Sequence, residues 1–341
     1  MNAKINIYTI LSVKQVIEAT IFLLSLSQMT FFKGRLYNSI TFFEIVYMSN
    51  KERVASLLLL LIFTLCIQAQ SKQALLVGIS NYSQSGEDAW VDIHGANDVE
   101  MLYPTLKTQG FQITKLCNKV AKADRIRKEI ASLIKSSHKG DVVYIHFSMH
   151  GQPVEDLDND ESDEWDEAII PFDAKRTFQL GIYEGTNHIT DDELHKYFRE
   201  LREVIGIEGF LCVVFDACHA GSSFRGEEDE EEMFLRGCKR GFTPNNKEYR
   251  PRINTKGHFE IPTDSTLADV VILEACRSYQ SNYEIKQDGV YYGPLSFYIN
   301  ETLSTMYLSP NMDWILNVKQ LMDADKRLVR QNMVYETSLN N

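Results

Sequence analysis

The chain has 341 residues, 47 acidic against 35 basic side chains, and 44% hydrophobic residues, for a formal net charge of −12. This is enough for an ordinary globular core, and the acidic balance excludes a nucleic-acid binder while suiting cations or basic peptides.

Residues 1–47 are apolar and aromatic without clear periodicity, and read as a non-native extension produced by a misplaced start. Met48 opens "MSNKERVASLLLLLIFTLCIQAQ", where Lys51 and Arg53 precede an apolar run from Val54 to Ile67, followed by Ala69. Charged, apolar and then cleavable is the pattern of a secretory signal peptide, assigned to 48–69, and the run is too short for a comfortable membrane span. The mature chain is therefore expected to be exported, to periplasm or medium, without a stable span. Residues 71–341 hold 44 acidic and 29 basic side chains, a net of −15. They retain Cys117, Cys212, Cys218, Cys238 and Cys276, an odd number that leaves at least one free thiol, and no CxxC pair that would suggest zinc.

From Lys72 onward strand and helix signals alternate. "ALLVGI" (74–79) reads as a buried strand, and Asp98 as the cap of a helix running through Thr108 with Val99, Leu102 and Leu106 on one face. "FQITKL" (111–116) alternates like a strand; Asp124 opens a helix with Ile126, Ile130 and Leu133 at helical spacing. "DVVYIHF" (141–147), "FLCVVFD" (210–216) and "DVVILEA" (269–275) are apolar strand runs, with a helix at 191–205 before the second. Such alternation predicts an α/β fold with a mainly parallel sheet covered on both faces. Cys212 and Cys276 are placed within strands, in the core. Two acidic tracts interrupt the pattern: 155–167, with nine carboxylates in thirteen positions, and 227–232, with six in a row. The segment 236–264, basic and proline-containing, is expected to be an exposed linker.

Ligands of open parallel sheets bind beyond the carboxyl ends of the strands. Two of these strands end in capable residues: one runs into Ser148, Met149, His150 and Gly151, the other into Asp216, Ala217, Cys218 and His219. If the strands are neighbours, His150 and Cys218 share one crevice, and an imidazole is what makes a thiolate available at neutral pH. Gly151, Ala220 and Gly221 leave room for a peptide backbone, and backbone N–H groups at Gly151 and Cys218 are placed to hold an oxyanion. His219, adjacent to the thiol, diverges from it, and His146 points into the sheet.

"YIHFSMHG" (144–151) followed by "VVFDACHAGSS" (213–223) resembles the caspase–metacaspase superfamily of cysteine peptidases, in particular its bacterial metacaspase-like members. "ALLVGISNY" (74–82), "GANDVEML" (95–102), "WDEAIIPFD" (165–173), "ITDDEL" (189–194), "LEACRSYQSNYE" (273–284) and "YGPLSFYI" (292–299) follow in the family's order, so the resemblance covers about residues 73–337. It implies a caspase-like fold, a six-stranded mainly parallel sheet between helices, with His150 as general base and acid and Cys218 as nucleophile. Met149 stands where the family usually has glycine, implying a narrower crevice.

Caspases that cut after aspartate carry glutamine two residues before the cysteine, whereas this chain has Asp216, as in metacaspases that accept Arg or Lys. Asp98 and Ser148 match two further positions of that pocket, and buried carboxylates favour a guanidinium or ammonium by charge-assisted hydrogen bonds. The resemblance also implies calcium as an activator, with Asp166, Asp191 and Asp192 matching three of the family's carboxylate ligands; Arg225 stands where a fourth is expected. A true EF-hand is excluded in 156–167, because Glu161 replaces the required glycine. Arg225, Arg236, Lys239, Arg240, Arg250, Arg252 and Lys256 offer an Arg/Lys-selective enzyme places to cut its own chain.

The expected organisation is thus an extension (1–47), a signal peptide (48–69), a large region with the dyad (72–225), a processing linker (226–266) and a small region completing the sheet (267–341). The expected activity is a cysteine endopeptidase acting on protein or peptide substrates after Arg or Lys, with calcium as a possible activator and no cofactor needed for the chemistry. The alternatives are a catalytically silent module that binds peptides or partners, and a transferase or ligase using the same acyl-enzyme.

Overall fold

A computed structural model describes residues 70–82, 86, 88–157, 164–218, 234–238, 240–250, 261, 264–328 and 330–339. The extension, the signal peptide, the 227–232 tract, Asp158, Asp160, Glu161, His219, Ala220, Gly221, Arg225, Lys239, Arg252 and Lys256 lie outside them. Residues 70–341 form a compact unit by themselves. Among the described residues no helix is long and apolar enough to cross a membrane.

Six strands make one sheet. Strands β1 (Lys72–Gly78), β2 (Gln112–Cys117), β3 (Val142–Ser148), β7 (Phe210–Asp216), β8 (Asp269–Glu274) and β11 (Val334–Thr337) lie in the order β11-β8-β7-β3-β1-β2. All neighbours are parallel except β11, which pairs antiparallel with β8 at the edge. The apolar runs need no alternation because both faces are covered. On one face Leu75, Val77, Val143, Ile145, Leu211 and Val213 pack with Ile126 and Ile130 of α2 (Ala123–Ser136) and Leu194, Phe198 and Leu201 of α3 (Asp191–Ile205). On the other, Ala74, Leu76, Tyr144, Val214, Val271 and Leu273 meet Val99 and Leu102 of α1 (Gly95–Thr108), Ile299 of α4 (Pro294–Leu303) and Trp314 of α5 (Asp313–Ala324).

Smaller pieces decorate the carboxyl edge of the sheet. Strands β4 (Gly151–Glu155), β5 (Trp165–Ile169) and β6 (Ile189–Thr190) form an antiparallel sheet that continues from His150. Its β4–β5 pairing sets Glu155 opposite Trp165, so strands, not helices, flank the first acidic tract. A hairpin of β9 (Ile285–Gln287) and β10 (Val290–Tyr292) turns at Asp288 and Gly289, with φ of 52° and 84°. Positive φ at both central residues is the geometry that Asp-Gly adopts readily between twisted strands.

Three expectations are corrected. Helix α1 starts at Gly95, not at Asp98, which lies fully buried in its first turn and makes no cap. Cys276 lies beyond the end of β8, in a small cluster with Cys218. The segment 236–264 is not exposed throughout: Arg236 is fully buried, Phe242 is 3% exposed, and the Phe242 backbone bonds both Pro153 and Glu155, while Arg240 and Arg250 are exposed.

Candidate active site

Sheet register sets the floor of the site. Gly78 stands beside Ser148 and Ser148 beside Asp216, all at the carboxyl edge. A Cβ on Gly95 would lie 2.1 Å from the Ser148 carbonyl oxygen, so only glycine lets α1 begin this close to the sheet. That approach delivers Asp98 to Ser148, whose hydroxyl donates to Asp98 Oδ2 at 2.6 Å. Asp216 is fixed in turn: Oδ1 accepts from Asn282 Nδ2 at 2.7 Å, and Oδ2 accepts from the Ser296 backbone and hydroxyl at 2.7 Å each. Behind it, Ser296 meets His146 Nε2 at 2.9 Å, inside the core on the α4 face, where burial lowers the imidazole to about 4.

The pocket so formed holds a side chain of the protein itself. Arg236 Nη1 lies 2.7 Å from Ser148 Oγ, 2.8 Å from Asp98 Oδ2 and 3.4 Å from Asp216 Oδ1. Its Nε and Nη2 donate to Glu284 Oε1 at 3.0 and 2.8 Å. Burial opposes the Arg236 charge, but the surrounding carboxylates overcome that and hold the guanidinium protonated. Burial pushes Asp98 up to about 7, against the pull of Arg236. A Cβ on Gly293 would stand 2.2 Å from Asp216 Oδ2 and 2.4 Å from Arg236 Nη1, so the glycine keeps the pocket open.

The backbone of the same segment is also engaged. Arg236 N–H donates to Asn282 O at 3.0 Å and Glu284 N–H to Phe234 O at 3.0 Å, with Leu235 bridged antiparallel to Tyr283. The Arg236 carbonyl oxygen accepts from Gly151 N–H at 3.2 Å and Cys218 N–H at 3.1 Å. These two N–H groups are therefore placed where an oxyanion on that carbonyl would need them. Gly237 follows immediately, and a Cβ there would lie 2.6 Å from the Cys218 carbonyl oxygen.

His150 is held at the same crevice. Its Nε2 contacts the Val91 carbonyl at 2.8 Å, which requires a proton on Nε2 and leaves Nδ1 as the basic nitrogen of the neutral ring. Among the described residues, the buried Nδ1 has no hydrogen-bond partner. The ring stacks on Trp90 at 4.9 Å and leans on Tyr82 at 5.1 Å, while Tyr82 Oη accepts from the His150 backbone N–H. Burial, only partly offset by the Val91 bond, lowers the imidazole to about 4, so it is neutral at physiological pH. The Cys218 thiol donates to the Gln280 carbonyl at 3.1 Å, and Cys276 donates to the same oxygen at 3.5 Å. Met149 is fully buried in the core cluster below.

The structure thus brings together His150, Gly151, Cys218, Asp98, Ser148 and Asp216. Sequence reasoning missed Glu284, the last residue of "LEACRSYQSNYE", and the Val91 carbonyl, which no side-chain motif could announce. The expected calcium ligands are elsewhere: Asp166 and Asp192 line a surface cleft with Glu155 and Glu193, and Asp191 is buried, accepting from the Glu167 backbone at 3.3 Å. Glu193 is already committed to Arg127. Among the described residues no group of three His, Cys, Asp or Glu side chains converges to hold a metal ion.

Residues 72–225 match the family described as "Metacaspase, peptidase C14 domain". Metacaspase-1 of Mycosarcoma maydis is 25% identical over 288 residues, covering 74% of this chain and 66% of that protein. Metacaspase-2 of Trypanosoma brucei brucei is 25% identical over 238 residues, covering 66% of this chain and 59% of that protein. The chain therefore spans somewhat less than two thirds of the length of these relatives. Among solved structures, protein GSU0716 from Geobacter sulfurreducens aligns with a TM-score of 0.54 and 18% identity, over 80% of this chain and 97% of that one. The match over residues 72–225 and these relatives support the caspase–metacaspase superfamily, and the mainly parallel six-stranded sheet between helices is the caspase-like arrangement that the sequence led us to expect.

Proposed function

We propose that the protein is a cysteine endopeptidase that cleaves after arginine and cuts its own chain between Arg236 and Gly237. One observation carries this reading: Arg236 lies in the carboxylate pocket with its carbonyl oxygen on the N–H groups of Gly151 and Cys218. In the proposed reaction His150 Nδ1 takes the Cys218 thiol proton and Sγ attacks the Arg236 carbonyl carbon. The oxyanion is stabilised by the two N–H donors, and His150 then protonates the Gly237 nitrogen as the peptide bond breaks. Water, deprotonated by His150, hydrolyses the thioester and restores the thiol. For other substrates the same pocket selects arginine; lysine is the weaker substrate, because Glu284 binds Nε and Nη2, which lysine lacks.

The Gln70–Asn341 unit is the proposed exported form, after loss of residues 48–69. Calcium activation belongs to the proposal on the strength of the resemblance alone, and no step of the chemistry passes through a metal.

Mass spectrometry of purified protein and of Cys218→Ala tests the reading. The expected result is a fragment ending at Arg236 and another beginning at Gly237, absent from the variant, together with hydrolysis of arginine peptides. An uncut wild type that hydrolyses no arginine peptide, with or without calcium or chelator, would move the function to peptide binding without catalysis.

A further inference from the structure

Phe234 stands two residues before Arg236, and in an extended segment alternate side chains point the same way. Both therefore face the protein, while Leu235 between them is the residue bridged through its backbone to Tyr283. The Phe234 ring meets the His94 ring edge-on, with centroids 4.6 Å apart and an interplanar angle of 85°. It meets Tyr291 at 4.8 Å and 70°. His94 and Tyr291 themselves stack at 5.0 Å and 25°, so the Phe234 ring packs edge-on against a stacked aromatic pair.

The pair is anchored independently of Phe234. Tyr291 belongs to β10, its register fixed by pairing with Lys286, whose ammonium lies 4.9 Å from the ring, and its carbonyl accepts from Asn97 Nδ2 at 3.1 Å. His94 precedes α1, and both its backbone N–H and its Nδ1 bind the Glu284 carboxylate, at 2.7 and 2.5 Å. Glu284 is the same carboxylate that receives the Arg236 guanidinium. A ring packed on this aromatic pair thus touches the residue that orients a wall of the arginine pocket.

We propose that His94 and Tyr291 form a subsite for an aromatic side chain at the third residue before the cut, making the preferred substrate a peptide with an aromatic residue, any residue, then arginine. This deepens, and rests on, the proposed arginine-directed peptidase activity. Edge-to-face pairs add to the apolar burial of the ring, and their combined effect is a preference of about tenfold in kcat/KM.

The test compares fluorogenic Phe-Leu-Arg and Ala-Leu-Arg peptide amides with the wild-type protein after mass spectrometry has shown its processing state. The expected result is about tenfold faster turnover of the phenylalanine peptide, mostly through KM, with the ratio collapsing towards one in Tyr291→Ala. In the uncut protein, Phe234→Ala is expected to slow self-cleavage about tenfold while Phe234→Tyr restores it. Equal turnover of the two peptides would overturn the subsite and leave the arginine-directed peptidase standing. Turnover of neither, from a folded protein whose thiol still reacts with an alkylating agent, would overturn the peptidase reading and the subsite with it.

Discussion

Cys218 donates its backbone N–H to the carbonyl oxygen of Arg236 at 3.1 Å, so the residue that carries the thiol already holds the oxygen of the bond it would break. Charge developing on that oxygen meets donors that need not reorganise, which is where electrostatic catalysis gains most. The same segment that is poised for attack also fills the arginine pocket. In the proposed reaction, self-cleavage is the step that frees the site.

Removing either partner should stop processing for different reasons. Cys218→Ala loses the nucleophile but keeps the buried ion cluster, so its thermal midpoint is expected to stay near that of wild type. Arg236→Gln leaves Asp98, Asp216 and Glu284 buried without their cation, a loss of about 3–5 kcal/mol by analogy with broken buried pairs. Differential scanning calorimetry of the two uncut variants should separate them clearly.

Glu284 should decide arginine against lysine. It accepts from Nε and Nη2, and charged hydrogen bonds contribute about 1.5–3 kcal/mol. Glu284→Gln is expected to lower kcat/KM for an arginine peptide by about 10- to 100-fold and for the matching lysine peptide much less. Parallel kinetics on the two peptides read this directly; an equal loss on both would remove Glu284 from selection.

Asp98 should make arginine binding pH-dependent. Burial holds its carboxyl at about 7 with Arg236 in place, and without the guanidinium that downward pull disappears, so an empty pocket keeps the proton to higher pH. Binding arginine then releases a proton, and affinity rises as pH rises. KM for an arginine peptide is expected to fall from about pH 6 to about pH 8, and Asp98→Asn should flatten that dependence. A KM that is constant over this range in the wild type would show that Asp98 does not titrate on binding.

Two glycines should resist substitution. On Gly293 a methyl group would overlap Asp216 Oδ2 and the guanidinium, so Gly293→Ala should abolish cleavage after arginine while Cys218 still reacts with iodoacetamide. On Gly237 it would crowd the Cys218 carbonyl oxygen, and relieving such overlap costs about 1–3 kcal/mol. Gly237→Val should therefore slow self-cleavage by roughly 5- to 100-fold, visible as accumulation of intact chain on gels.

Much of the framework was written locally. "DVVYIHF" and "FLCVVFD" are apolar without alternation because both faces are buried, and that signal survives in the sequence whatever surrounds it. Their neighbourhood then sets Ser148 beside Asp216 and brings Gly151 and Cys218 to one carbonyl, so the meeting of these residues could be read from strand ends, whereas the pocket positions came from the family resemblance. The start of α1 could not: Asp98 resembles a cap in sequence, and only the contact of Gly95 with Ser148 shows that the helix begins earlier and turns the carboxylate inward.

Composition misled for part of 236–264, which is basic and contains proline and so reads as solvent-exposed, yet begins with the buried Arg236. Seven basic residues were equivalent candidates along the chain; of those described, Arg240 and Arg250 are exposed and Arg236 alone is buried among carboxylates. That choice depends on Glu284, 48 residues away, and on His94, 190 residues from Glu284. The sequence by itself determined the sheet, the thiol and the imidazole, because apolar periodicity and strand ends are local properties. Only the tertiary structure decided which arginine the site holds, because a buried charge is stable only where distant parts of the chain converge to neutralise it.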